Sequence, residues 1–211
     1  MKVASKFKFQ PCFGFYLNLL KEMRAQKAPS YEIIHSAGGR ACGKTYCFTL
    51  FVALLFYYRI PAIVYAFRKP TNLVVDSVWK EILDRLEDAK ITGYRVKKVG
   101  FKIDSTTTSV FCMGLYNPSG ENVVKKGIAS SSRYTYAIKW FEEANEYEEK
   151  DIQAIDQAIR GAKYLIKVYT TNPWALHNWY ISYLDKKFPF SKAKLLKDGY
   201  QWKYFPDPLA A

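Results

Sequence analysis

Apolar and polar positions along the chain fall into stretches of two different periods. Residues 12–26 (CFGFYLNLLKEMRAQ) carry the spacing of a short amphipathic helix that breaks before Pro29. Residues 31–36 read as a short strand, a glycine-rich turn follows, and residues 44–58 read as a helix that is apolar almost throughout. Residues 61–67 (PAIVYAF) form a continuous apolar run, the pattern of a strand covered on both faces. Strand, helix and strand in that order imply a right-handed parallel crossover. Residues 73–89 regain helical spacing, with Leu73, Val74, Val78, Ile82 and Leu86 on one side. The period then falls to two: residues 94–98, 101–105 and 109–115 are short strands of a meander, turning at Gly100. A turn at 117–120 (NPSG) and a polar loop over 123–132 lead to a strand at 134–141. Residues 151–160 are a helix capped by Gly161, residues 164–170 (YLIKVYT) a core strand, and residues 175–187 a helix.

These elements describe an α/β domain with a mainly parallel central sheet flanked by helices and an inserted antiparallel hairpin region. The length of 211 residues suits one domain. Its parts are an N-terminal segment (1–30), a core (31–185) and a lysine-rich C-terminal stretch (186–211). Residues 46–58 could be mistaken for a membrane span, but a span needs about 20 residues, and Arg59 ends this run. A buried helix is expected instead, with no membrane partner and no signal peptide. Cys12, Cys42, Cys47 and Cys112 form no CxxC pair, and with only His35 and His177 this argues against a zinc site. A hydrophobic fraction of 49% excludes a disordered chain. The formal charge of +13 points to a polyanionic partner: nucleic acid, an anionic surface or nucleotide phosphates.

Residues 38–45 (GGRACGKT) narrow that choice, because they match GxxxxGK[ST] in full. Gly38, Gly39, Arg40, Ala41, Cys42 and Gly43 would curl so that successive backbone N–H groups face phosphate oxygens. The helix beginning at Lys44 adds its positive N-terminal end. Lys44 would reach the β- and γ-phosphates of ATP, and the Thr45 hydroxyl would ligate Mg2+. Such a site also needs carboxylates at the end of a neighbouring core strand, and Glu142-Glu143 directly follow one. Glu142 is read as the residue on the metal side and Glu143 as the base that deprotonates the attacking water. Lys139 interrupts the apolar run before them, and Glu146, Glu148 and Glu149 supply competing carboxylates, so a charged helix start is the other reading. Thr170, Thr171 and Asn172 end the last core strand, where small polar groups could sense the γ-phosphate and pass the change to a neighbouring element.

With these residues in place the chain resembles the ATPase domain of a tailed-phage terminase large subunit. The resemblance is carried by GGRACGKT at 38–45, AFRKPTNLVVDSVWKEI at 66–82, WFEEANEY at 140–147 and TTNPWALHNWY at 170–180. It implies an ASCE-type, RecA-like P-loop NTPase that couples ATP hydrolysis to translocation of double-stranded DNA into a procapsid. Lys44 and Thr45 match the family's phosphate and Mg2+ residues, Glu142 and Glu143 its Walker B acid and catalytic glutamate, and Thr170, Thr171 and Asn172 its coupling motif. Glu142 stands where many members have aspartate. Arg40 matches an arginine proposed to respond to the γ-phosphate, and Gln10, in the segment FKFQP, stands where related ATPases place an adenine contact. Partners implied are DNA, the portal protein, the small terminase subunit and further copies in a homo-oligomeric ring (a pentamer in the family), in the host cytoplasm.

Ring motors of this family complete the site with a neighbour's arginine. Arg133 is the first candidate and Arg160 the second, while Arg68 reads as structural or DNA-facing. Lys97, Lys98, Lys102, Lys125, Lys126 and the lysines of 186–197 would contact DNA phosphate rather than bases. A ribonuclease-H-like nuclease domain normally follows in such proteins. Little chain remains after Pro173, so no DNA cleavage is expected of this chain. Other readings are a helicase-like or recombinase-like ATPase that remodels nucleic acid, and a nucleotide-gated assembly subunit with little turnover.

Overall fold

The computed structural model describes residues 13–27, 31–35, 43–116, 133–159, 162–171 and 204–206. Helix α1 spans Phe13–Arg24, strand β1 Tyr31–His35, and helix α2 Lys44–Tyr57. Strand β2 (Ala62–Pro70) follows, then a π-turn (Val75–Trp79) running into helix α3 (Lys80–Asp88). Strands β3 (Arg95–Lys97), β4 (Lys102–Asp104) and β5 (Thr108–Tyr116) come next. Strand β6 (Tyr136–Glu142), a 3-10 turn (Ala144–Glu146), helix α4 (Glu149–Ala158), and strands β7 (Tyr164–Thr170) and β8 (Tyr204–Pro206) complete the described elements.

The described strands form one sheet in the order β3-β4-β5-β2-β6-β7-β1-β8. The run β5-β2-β6-β7-β1 is parallel throughout. β3 and β4 pair antiparallel at one edge and β8 pairs antiparallel with β1 at the other. The expected α/β architecture is therefore present, with one adjustment. The third strand of the expected meander is β5, which pairs parallel with β2 as part of the central sheet. Its apolar residues explain why: Val110, Cys112 and Leu115 are buried, as a central strand demands. β5 also pairs antiparallel with β4, so the expected meander of β3, β4 and β5 is present and shares its third strand with the central sheet. β8 arises within the stretch read as lysine-rich, while the helix expected over 175–187 and the loops over 117–132 lie outside the described residues.

Both faces of the sheet are covered, which is why the core strands read as unbroken apolar runs. Val64, Ala66, Ile138, Trp140, Ile166 and Val168 pack with α1, α2 and α3 on one face. Ile63, Tyr65, Phe67, Ala137, Phe141 and Tyr169 pack with α4 on the other. Lys139, which interrupts the apolar run of β6, stays in the strand because its ammonium meets Asp156 of α4 at 2.7 Å. Its β7 neighbour Lys167 meets the same carboxylate at 2.8 Å. No helix among the described residues is long and apolar enough to cross a membrane, α2 included.

The π-turn has a cause visible in the sequence. Val74, Val78, Ile82 and Leu86 are all fully buried and recur every fourth residue. A 3.6-residue helix would carry such a row around its axis, and one wider i→i+5 turn keeps the row on the core. Leu73, expected on that side, is instead exposed. At the same end of the sheet Gly114 lies against Thr71, where any Cβ would clash with the threonine's backbone and side chain.

Candidate nucleotide site

Parallel strands present their C-terminal ends along one edge, where ligands of open α/β sheets bind. Helix α2 starts there. Gly43 precedes it at φ 80°, ψ 16°, the left-handed conformation that glycine enters without a Cβ penalty. The first turn of α2 holds no acid and no side-chain cap, so its positive end is not offset by neighbouring carboxylates of that turn. Lys44 is the first helical residue and is nearly buried. Phe48, one turn on, packs its ring 4.5 Å from that of Trp140, which fixes α2 over β6.

β6 ends at Glu142, so this acid is the last residue of the strand rather than the residue following it. Its position brings three elements together. The Thr45 hydroxyl of α2 donates to Glu142 Oε1 at 2.9 Å. The Thr170 hydroxyl at the end of β7 donates to Glu142 Oε2, and Trp140 Nε1 donates to Thr170 Oγ1 at 2.9 Å. Burial pushes the Glu142 carboxyl above its ordinary pKa; the bonds from Thr170 and Thr45 oppose that rise, the Glu143 charge adds to it and Arg68 opposes it. A touching carboxylate and hydroxyl are hard oxygen donors of the kind Mg2+ takes while keeping most of its waters, so the pair fits that ion. A cation there would also relieve the cost of ionising so buried an acid.

Glu143 leaves the strand at φ 50°, ψ 58°. A non-glycine residue rests in that region only when its surroundings hold it there. The turn after it is fixed by the Glu146 amide donating to the Glu143 carbonyl at 2.8 Å and by the Thr171 hydroxyl donating to Asn145 Oδ1 at 2.8 Å. Two of the three acids that competed with the pair in the sequence have other duties. Glu146 accepts from Arg68 at 3.1 Å. Glu148 forms the capping box of α4 with Asp151 and pairs with Lys150 at 2.8 Å.

The structure thus brings Lys44, Thr45, Glu142, Glu143, Thr170 and Thr171 to one edge of the sheet. Gly38, Gly39, Arg40, Ala41, Cys42, Gln10, Asn172 and Arg160 lie outside the described residues. Arg133 stands elsewhere: it precedes β6 at the opposite end and donates to Asp104 at 2.9 Å, so it does not join Lys44, Thr45 and Glu142 of its own chain. Sequence reasoning passed over Trp140, Asn145 and the partnership of Arg68 with Glu146. A tryptophan two residues before the acid was the one local signal; the other pairings join residues far apart in the chain.

The topology places β7 between β1, which leads into the phosphate loop, and β6, which carries the acid. That additional strand is the mark of the ASCE subclass. The model of the phage terminase large subunit family matches residues 30–200. The large terminase of a thermophilic bacteriophage superposes with a TM-score of 0.56 at 18% identity, over 82% of this chain and 43% of that one. The same thermophilic-phage protein in complex with ADP gives a TM-score of 0.57 at 13% identity, over 92% and 50%. The bacteriophage HK97 large terminase gives 0.54 at 12% identity, over 87% and 38%. The chain therefore spans half or less of the length of these structures. No curated protein matches it in sequence.

Proposed function

The chain belongs to the phage terminase large subunit family, and from that premise we propose that it is the ATP-hydrolysing motor domain of a DNA-packaging machine. One observation carries the reading. Thr45 at the start of α2 and Glu142 at the end of β6, 97 residues apart, share a hydrogen bond. Two sequence motifs that ATP hydrolysis requires are thereby neighbours in space. The ADP bound in the thermophilic-phage terminase supports nucleotide as the ligand.

In this reading the backbone of 38–43 wraps the phosphates, with Gly38, Gly39, Arg40, Ala41 and Cys42 lining the loop, and Lys44 neutralises the β- and γ-oxygens. Thr45 and Glu142 would hold Mg2+, which would supply neutralisation of the charge that develops on the phosphates. Glu143 orients the attacking water and takes its proton. Thr170, Thr171 and Asn172 register loss of the γ-phosphate, because Thr170 touches the same carboxylate as Thr45. Gln10 contacts adenine, Arg40 responds to the γ-phosphate, and Arg133 acts on a neighbouring subunit's site.

The work done is translocation of double-stranded DNA in a homo-oligomeric ring on the portal, with the small terminase subunit as recruiter, in the host cytoplasm. The hairpin supports a phosphate-reading surface: all of β3 is exposed, and Lys97 and Lys98 stand on it beside Val99, which is 95% exposed. Lys102 is instead committed to Asp104 at 3.1 Å. DNA affinity carried by such lysines should fall steeply with salt.

The test is nucleotide binding and turnover by the wild-type chain, Lys44→Ala and Glu143→Gln. Glu143→Gln should bind ATP normally and lose turnover by about 10²- to 10⁴-fold, whereas Lys44→Ala should lose both. Wild-type turnover in Glu143→Gln would remove Glu143 as base. A wild-type chain that ignores ATP would end the motor reading, and strand unwinding would favour a helicase.

A further inference from the structure

Phe67 of β2 lies opposite Phe141 of β6, so the next residue, Arg68, stands beside the end of the strand that carries Glu142. Its Nη2 donates to Glu146 Oε1 at 3.1 Å, and its side chain is only 13% exposed. Glu146 closes the turn that opens with left-handed Glu143. That turn is therefore gripped from both strands that flank β6. β7 reaches it through Thr171 and Asn145, and β2 reaches it through Arg68 and Glu146. A strained glutamate persists only where its surroundings over-determine it, and these two contacts are a side-chain contribution to that determination.

The Arg68–Glu146 contact is also poorly built for stability. Of the five buried side-chain polar atoms without a hydrogen-bond partner among the described residues, four belong here: Arg68 Nε and Nη1, Glu146 Oε2 and Tyr147 OH. Buried polar atoms are nearly always paired, and local departures from that rule gather at functional sites.

We propose that Arg68 is a positioning residue: through Glu146 it holds the left-handed turn from which Glu143 works on the attacking water. The catalytic consequence rests on the ATPase reading above, and the hold on the turn does not.

Two measurements on the full chain separate those claims. Amide hydrogen exchange reads the turn directly, whether or not the chain hydrolyses ATP. Arg68→Gln and Glu146→Ala should each speed exchange at the Glu146 and Tyr147 amides by about tenfold or more while leaving α2 unchanged. Turnover reads the consequence: kcat should fall by about 100-fold, as small misplacements of a catalytic group do, with KM little changed. Arg68→Lys, which keeps the charge and one donor, should recover part of the loss. In a Glu143→Gln background Arg68→Gln should cost nothing further, because residues acting as a unit are not additive. Unchanged exchange in both variants overturns the proposal, and so does a full additive loss beside Glu143→Gln. Accelerated exchange in a chain that never hydrolyses ATP would sink the motor reading and leave the hold on the turn standing. If Arg68→Gln fails to fold, Glu146→Ala carries both arms.

Discussion

Where β5 and β6 begin, Asp104, Ser109, Tyr134 and Arg133 close on one another: Asp104 accepts from Ser109, from Arg133 at 2.9 Å and from Lys102 at 3.1 Å, while Ser109 and Tyr134 share a 2.6 Å bond. Where the same sheet ends, Glu142 also gathers hydroxyls, but no cation among the described residues stands within ion-pair distance of it. The electrostatics follow. Burial alone would raise Asp104, yet hydrogen bonds from Ser109 and Lys102 and the charges of Lys102 and Arg133 leave it below the ordinary carboxylate range. Burial wins at Glu142, whose carboxyl is raised. Among the described residues one end supplies its own cations, and the other holds a buried acid with hydroxyl donors alone, as the proposed ion site would require.

Thr170→Val should break the ligand end most severely. It removes one donor to Glu142 and strands the buried Trp140 Nε1–H, which now donates to Thr170 at 2.9 Å. Leaving such a group unpaired costs about 1–3 kcal/mol, and about 2–4 °C of Tm per kcal/mol is the scale for a domain of this size. Turnover should fall along with Tm. Ser109→Ala at the opposite end should lower Tm and leave turnover intact. Thermal melts beside an ATPase assay compare the two, and a Thr170→Val chain with unchanged turnover would detach β7 from the chemistry.

Charge removal should move the two ends in opposite directions. Glu142 has a raised folded pKa, so its favourable contribution is complete below the unfolded value and is lost as pH rises through the folded one. Above the unfolded value, burying this carboxyl without metal is a cost, and Glu142→Gln should raise Tm at neutral pH. Asp104 has a lowered folded pKa, so its contribution is present above the unfolded value and is lost as pH falls through the folded one. Asp104→Asn should lower Tm at neutral pH, by the ~1 kcal/mol typical of a lost hydrogen-bonded charge. Both differences should shrink in acid. Two variants shifting in the same direction in a chelator-containing buffer would erase the contrast between the ends.

How much of this could be read from the chain alone depended on sequence distance. The GxxxxGK[ST] match and the Glu142-Glu143 pair could be picked out because each is written in adjacent residues. The parallel pairing of β5 was hidden, since its apolar run suits a meander as well as a central strand. Lys139 read as a flaw because its partner, Asp156, comes from a different element. The Arg68–Glu146 contact joins residues 78 apart, and no local pattern announces it. Glu143's left-handed backbone was equally invisible, because the contacts made by the turn after it, Thr171 with Asn145 and Arg68 with Glu146, join residues far apart in the chain.

Arg133→Ala should have the smallest effect on the isolated chain. Its side chain is 46% exposed, and exposed pairs contribute about 0.2–1 kcal/mol. Asp104 keeps Lys102, and Ser109 keeps Tyr134, so the network should lose one arm without collapsing. The Tm deficit should shrink as salt rises toward 1 M, where the screening length falls to about 3 Å. A deficit that persists in high salt would mean that Arg133 acts by packing on the Tyr134 ring, 4.6 Å from its guanidinium carbon, rather than by charge. No deficit at any salt would mean that Asp104 does not hold the guanidinium in solution. The closed end of the sheet would then offer that arginine to a neighbouring subunit, and the division between a self-sufficient end and a ligand-seeking end would have to be redrawn.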